Sequence, residues 1–161
     1  MADYPELLLG EFVRAIDDRY RLSLPPEFAD RLTQETANCL LAKERPGCLS
    51  LWSAARWQQK HQEDIELLWQ KLRTGRLESR LAEVQTVGRL LSTRQQPVQL
   101  AGRGRLVVPE SFREFLGVEP GGSVTVVGAA VCVEIWHPQN WNEQVGETMP
   151  EFRTMFEQLV G

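Results

Sequence analysis

The sequence predicts an α+β protein built from two copies of one small unit. Three observations carry that prediction: a motif written twice, a pair of tryptophans repeated behind each copy, and two helical periodicities between the copies. The motif "IDDRYRLSLPPEF" runs from Ile16 to Phe28, and "LAGRGRLVVPESF" runs from Leu100 to Phe112. Sliding the chain over itself by 84 residues, the separation of Arg21 from Arg105, superposes Arg19 on Arg103 and Leu22 on Leu106. The same offset puts Pro25 on Pro109, Phe28 on Phe112 and Leu32 on Leu116. With no gap it then brings Cys48 onto Cys132, Trp52 onto Trp136 and Trp57 onto Trp141. Two aligned tryptophan pairs at one constant offset are hard to obtain by chance, so the chain reads as a duplication over roughly residues 10–57 and 94–141.

Each unit opens on a strand. In "EFVRAI" the alternation sets Phe12, Arg14 and Ile16 on one side, and "VQL" precedes the second motif. A tight turn leads to a second short strand. In "RLSLP" Leu22 and Leu24 point one way while Arg21 and Ser23 point the other, and Leu106 and Val108 repeat the pattern in "RLVVP". Proline ends each of these strands because it has no N–H for the ladder, and it suits the start of a helix. Phe28 and Leu32, like Phe112 and Leu116, are spaced i and i+4, which gives each short helix an apolar stripe. Two more strands follow in each copy: "CLLAK" and "CLSLW", then "SVTVVG" and "VCVEIW", with "RPG" and "GAA" as turns.

Between the copies, "AARWQQKHQEDIELLWQKLRTG" places Trp57, His61, Ile65, Leu68, Trp69 and Leu72 near one helical face, closed by Gly75. "RLESRLAEVQTVGRLLSTR" forms a second helix, another begins after His137-Pro138, and Pro150 to Val160 forms a helical tail. The expected division is a first unit at 10–54, connecting helices at 55–95, a second unit at 96–139 and a tail at 140–161. The tryptophans are expected to anchor each unit's last strand to the following helix, or to line a subunit interface.

Composition narrows the function classes. A chain of 161 residues makes one compact domain or two halves sharing a core. No apolar run approaches the length that spans a bilayer, and the N-terminus carries no secretory pattern. Three cysteines, Cys39, Cys48 and Cys132, form neither a C-x-x-C pair nor an even framework, so buried free thiols are expected. The two histidines, His61 and His137, have no metal-site spacing, and no nucleophile elbow, P-loop or paired carboxylates are visible. No enzyme, cofactor or metal is therefore expected. The net charge of −4 argues mildly against nucleic acid, but acidic residues concentrate in the helices while arginines gather at the repeated motif.

Those arginines are the candidate site. Gly102 and Gly104 permit close backbone approach and positive φ, and Asp17 can accept backbone N–H bonds within the first turn. Arg21 and Arg105 would then start strands on the polar face, with Arg19 and Arg103 at the turn tips. A rigidly held guanidinium fork suits phosphate or the O6/N7 edge of guanine. The alternative is a solvated turn in which Arg21 pairs with Asp17 or Asp18.

The order of Gly10, Ile16, Asp17, Arg21, Leu22, Leu24, Pro25 and Phe28 closely resembles the MraZ family, within the AbrB-like swapped-hairpin DNA-binding proteins. The second unit resembles it through Gly104, Arg105, Leu106, Pro109, Phe112, Arg113 and Leu116-Gly117, and "EIWHPQNW" through Glu134, Ile135, Trp136 and Trp141. The resemblance implies a double-split β-barrel formed by both units. It implies a cytoplasmic, nucleoid-associated transcriptional regulator that binds double-stranded DNA at the division and cell-wall gene cluster. It further implies homo-oligomeric rings whose D-x-x-x-R turns face short guanine-rich repeats. Arg21 and Arg105 are the motif arginines and Asp17 the motif aspartate.

Two departures from the family pattern concern the turns. Ala101 replaces the second aspartate, and Tyr20 stands where a glycine is usual before the first arginine. If that position needs positive φ, tyrosine is unfavourable there; the readings open to it are contact with a sugar or base and a packing role, of which packing is the expected one. The rival readings are a ring scaffold without DNA binding and an antitoxin-like interaction module.

Overall fold

The computed structural model describes residues 7–161. The sequence reading of the extreme N-terminus, residues 1–6, lies outside the described residues. The fold is α+β with antiparallel strand pairing. The first unit contributes β1 (Leu8–Ala15), β2 (Arg21–Ser23), α1 (Pro26–Leu32), β3 (Asn38–Arg45) and β4 (Cys48–Ser53). The connecting helices are α2 (Ala54–Arg73) and α3 (Leu81–Thr93). The second unit contributes β5 (Gln95–Gln99), β6 (Arg105–Val107), α4 (Glu110–Leu116), β7 (Ser123–Ala130) and β8 (Val133–Trp136). The chain closes with α5 (Pro138–Thr148) and α6 (Phe152–Val160).

The two units exchange their opening strands. A six-stranded sheet runs in the order β1-β7-β8-β4-β3-β5. Thus β1 of the first unit pairs with β7 of the second, and β5 of the second pairs with β3 of the first. The centre is β4 against β8, where Cys48 faces Trp136 and Leu51 faces Val133. A separate two-stranded ribbon joins β2 to β6. The repeated apolar positions converge on one core: Ile16 with Leu100, Leu22 with Leu106, Leu24 with Val108, Phe28 with Phe112 and Leu32 with Leu116 are all buried. The prolines act as expected. Pro25 and Pro109 sit at the N-caps of α1 and α4, and Gly117 ends α4 in the left-handed region at φ 77°.

Three local expectations are refined. The link between β7 and β8 is Val131–Cys132, just after "GAA" rather than within it, with Ala130, the last residue of β7, at φ 66°. The tryptophan pairs bridge strand to helix, with Trp52 of β4 at 5.6 Å from Trp57 of α2 and Trp136 of β8 at 5.4 Å from Trp141 of α5. The apolar stripe of α2 is only partly covered. Trp57, His61, Leu68 and Leu72 are half-buried, while Ile65 and Trp69 are exposed, because α2 lies against β3 and β4 at its start and beside α3 further on.

At Gly104, φ is 72° and an added Cβ would lie 2.5 Å from the Cβ of Ala29 on α1. Gly104→Ala is expected to lower stability by about 1–3 kcal/mol through strain and overpacking, read as a lower urea midpoint with an unchanged slope.

Candidate nucleic-acid interface

The site is the β2–β6 ribbon and the two turns that feed it. Its registry is centred on Leu22 opposite Leu106, with Arg21 opposite Val107 and Ser23 opposite Arg105. Strand alternation sends both leucines into the core and leaves Arg21, Ser23, Arg105 and Val107 on the outer face. Arg21 and Arg105 are thereby brought together on one surface from opposite halves of the chain. A cleft of about 360 Å³ there is lined by Arg14, Asp17, Arg21, Ser23 and Arg105 among others. Three guanidinium groups and one carboxylate make it a cationic spot on a net-acidic chain. Arg14 was not among the candidate residues, although the alternation of "EFVRAI" set it on the same side of the strand as Phe12 and Ile16.

The first turn is built around one carboxylate. Asp17 Oδ1 accepts from the backbone N–H groups of Arg19 and Arg21, each at 2.9 Å. Its Oδ2 accepts from Arg21 Nε at 2.7 Å. The backbone adds bonds from Asp17 N–H to Arg21 C=O and from Tyr20 N–H to Asp17 C=O. Arg21 thus does pair with Asp17, and the pair is not a sink for its whole side chain. Among the described residues, no hydrogen bond is made by its Nη1 or Nη2, and the side chain remains 43% exposed. The backbone N–H of Arg21 is the main cause that holds the Asp17 carboxyl below the ordinary aspartate range, with the Arg21 side chain and the Arg19 N–H adding to it.

The second turn is built from backbone alone. Ala101 N–H donates to Arg105 C=O, and the N–H groups of Gly104 and Arg105 both donate to Ala101 C=O. Positive φ falls on Arg103 at 64° and Gly104 at 72°, while Gly102 lies in open space outside that region. In the first turn only Tyr20 takes a left-handed φ, 58°. The position aligned with Gly104 therefore does require the left-handed region, and tyrosine occupies it. Tyr20 packs against the core, and the guanidinium of Arg113 on α4 lies 4.4 Å from its ring centroid. Arg19 and Arg103 sit exposed at the tips, apart from the Arg21–Arg105 cleft.

The turns also hold each other's strands. Val108 N–H donates to Tyr20 C=O at 2.9 Å, and Leu24 N–H donates to Gly104 C=O at 3.0 Å. These two bonds are images of one another under the 84-residue offset.

The remaining singled-out residues are structural. His137 Nδ1 accepts from Gln139 N–H at the start of α5, and His61 stacks on Trp57 at 3.9 Å. Cys39, Cys48 and Cys132 are buried and unpaired; burial pushes the Cys39 thiol up to about 11, the Cys132 thiol up to about 12, and the Cys48 thiol upward as well. Among the described residues, no helix is long and apolar enough to cross a membrane.

Residues 93–160 match the family model described as "MraZ protein, putative antitoxin-like". A relative from Moorella thermoacetica, named "Transcriptional regulator MraZ", is 27% identical over 154 residues, covering 96% of this chain and 97% of its own. The chain is similar to MraZ proteins along nearly its whole length, and the family model covers its second half. A Micrococcus luteus relative of the same name is 27% identical with the same coverage. One from Thermus thermophilus is 24% identical over 140 residues, covering 87% of this chain and 88% of its own. The MraZ relatives thus span both units of the duplication and the helices between them.

Because its carboxyl is held low, Asp17 stabilises the first turn fully above the ordinary aspartate range, and that contribution is lost as pH falls through the lowered value. The Asp17 carboxyl carbon is expected to titrate by NMR with a midpoint below that of an exposed aspartate, with the Arg21 Nε resonance moving in step. In Asp17→Asn the Arg21 step is expected to vanish.

Proposed function

We propose that the protein is a sequence-specific DNA-binding transcriptional regulator. The observation that carries this reading is the β2–β6 ribbon, which sets Arg21 and Arg105 on one exposed cationic face, with the Nη groups of Arg21 hydrogen-bonded to no acceptor among the described residues. A guanidinium held at Nε by a carboxylate is a fork aimed outward, the geometry that reads phosphate or guanine edges. Arg21 and Arg105 are the base- or phosphate-reading residues, Arg19 and Arg103 reach the backbone from the turn tips, and Asp17, Gly102 and Gly104 shape the turns. The name "Transcriptional regulator MraZ" borne by the relatives supports the same class.

The finer reading follows the family. The exchange of β1 and β5 between units supports a double-split β-barrel with units at 10–54 and 96–139, joined by helices at 55–95 and followed by a tail at 140–161. The target is a set of short repeated promoter boxes, at the division and cell-wall gene cluster, read by a homo-oligomeric ring in the nucleoid-associated cytoplasm. Exposed apolar side chains on the helices, among them Trp69, Leu90, Phe152, Phe156 and Leu159, support self-association. Repeated subunits on repeated boxes gain affinity through effective concentration, which lets a net-acidic chain hold DNA with few cations per subunit.

A mobility shift of the protein's own upstream DNA, at two salt concentrations, tests the reading. Wild type is expected to shift the DNA, with affinity falling steeply as salt rises. Arg21→Ala is expected to abolish the shift while the protein stays folded, and Arg105→Ala to weaken it. A folded Arg21→Ala protein that binds as tightly as wild type rejects this assignment. A folded, oligomeric wild type that gives no shift favours the scaffold reading.

A further inference from the structure

The 84-residue symmetry makes the two turns equivalent, and yet their surroundings differ in one paired way. Tyr20 aligns with Gly104, and Arg113 aligns with Ala29. At the second turn Gly104 meets Ala29 so closely that an added Cβ would fall at 2.5 Å. At the first turn the same two positions carry a large ring and a guanidinium, 4.4 Å apart. Both partners have changed together across the interface between the two units.

We propose that Tyr20 and Arg113 are a positioning pair that holds the first turn, and with it Arg21, in its reading pose. This inference rests on the DNA-reading role proposed for Arg21. The contact belongs to a closed circuit. Tyr20 C=O accepts from Val108 N–H, Val108 C=O accepts from Arg113 Nε at 3.0 Å, and the Arg113 guanidinium covers the Tyr20 ring. The circuit ties the first turn to the end of β6 and the last turn of α4, which belong to the other unit. Arg113 is half-buried, so the cation–π contact is partly desolvated and stronger than a surface one. It also offsets the strain of a tyrosine at φ 58°. Among the described residues, the second turn has no such circuit. Arg103 and Gly104 instead border a hollow of about 560 Å³ beside Ala29 and Asp30. The first turn is therefore pre-organised and the second compliant, so one protein presents a fixed reader and an adjustable one.

The test is amide hydrogen exchange by NMR on the full-length protein without DNA, followed by DNA affinity of the same variants. Arg113→Ala removes the cation, and Tyr20→Leu removes the ring while keeping a branched side chain at the same strained φ. Both are expected to speed exchange at the Arg19 and Arg21 amides by about 3- to 10-fold relative to the Ala101, Gly104 and Arg105 amides of the second turn, and to weaken DNA binding by a similar factor. Tyr20→Phe keeps the ring and is expected to restore wild-type behaviour in both readouts. Unchanged exchange at Arg19 and Arg21, or equal acceleration in both turns, overturns the brace. Selective loosening with undiminished DNA affinity overturns its positioning role. Selective loosening in a protein whose wild type binds no DNA upholds the brace and rejects the DNA-reading role instead.

Discussion

The pairing of β2 with β6 is the constraint on which the rest of the structure depends. These are short strands, each stopped by a proline that cannot donate to a ladder, and neither would be stable alone. They survive because Leu22 and Leu106 are buried beneath them. They survive also because the next N–H along each strand, at Leu24 and Val108, is taken by a carbonyl of the opposite turn. Once the ribbon forms, the two units are crossed. Each opening strand must then leave its own unit and pair with the other, which is the order observed in the larger sheet. The prolines that end the ribbon start α1 and α4, whose Phe28 and Phe112 fill the core beneath it.

The same crossing determines the electrostatics. Each unit alone contributes one arginine at a strand start, a weak feature on a chain of net charge −4. Crossing puts two of them, with Arg14 beside them, around a single cleft. Among the described residues, Asp17 is the only acidic one lining that cleft. It does not cancel the patch, because its two oxygens are spent on fixing the turn and gripping Nε. An acidic protein can in this way carry a locally positive surface, with the negative charge placed elsewhere, mainly on exposed helix faces.

Much of this was legible in the sequence, for identifiable reasons. The duplication exposed the core directly, since positions such as Leu22 and Leu106 or Phe28 and Phe112 carry the same burden in both copies. The strand–proline–helix order and the tryptophan bridges followed from local chemistry. Three features were not legible. The exchange of β1 and β5 between units is a long-range pairing, and alternation says only that a strand has two faces, not which strand lies beside it. The Arg113–Tyr20 contact joins residues far apart in sequence, so a packing role for Tyr20 was legible but its partner was not. The positive φ at Arg103 in place of Gly102 arises because the second turn, lacking a carboxylate at Ala101, closes on backbone carbonyls alone. The apolar stripe of α2 was read correctly as a stripe, and its exposure at Ile65 and Trp69 reflects the absence of a further layer over it among the described residues.

The central claim is that two halves of one chain form a single DNA-reading surface through the ribbon. The most direct measurement is an NMR titration of arginine Nε–H signals with the protein's own upstream duplex. The account predicts that Arg21 and Arg105 shift together at the same DNA ratio, while Arg73 and Arg89 on the connecting helices stay still. Shifts confined to the connecting-helix arginines, or an Arg105 signal that moves while Arg21 does not, would contradict it.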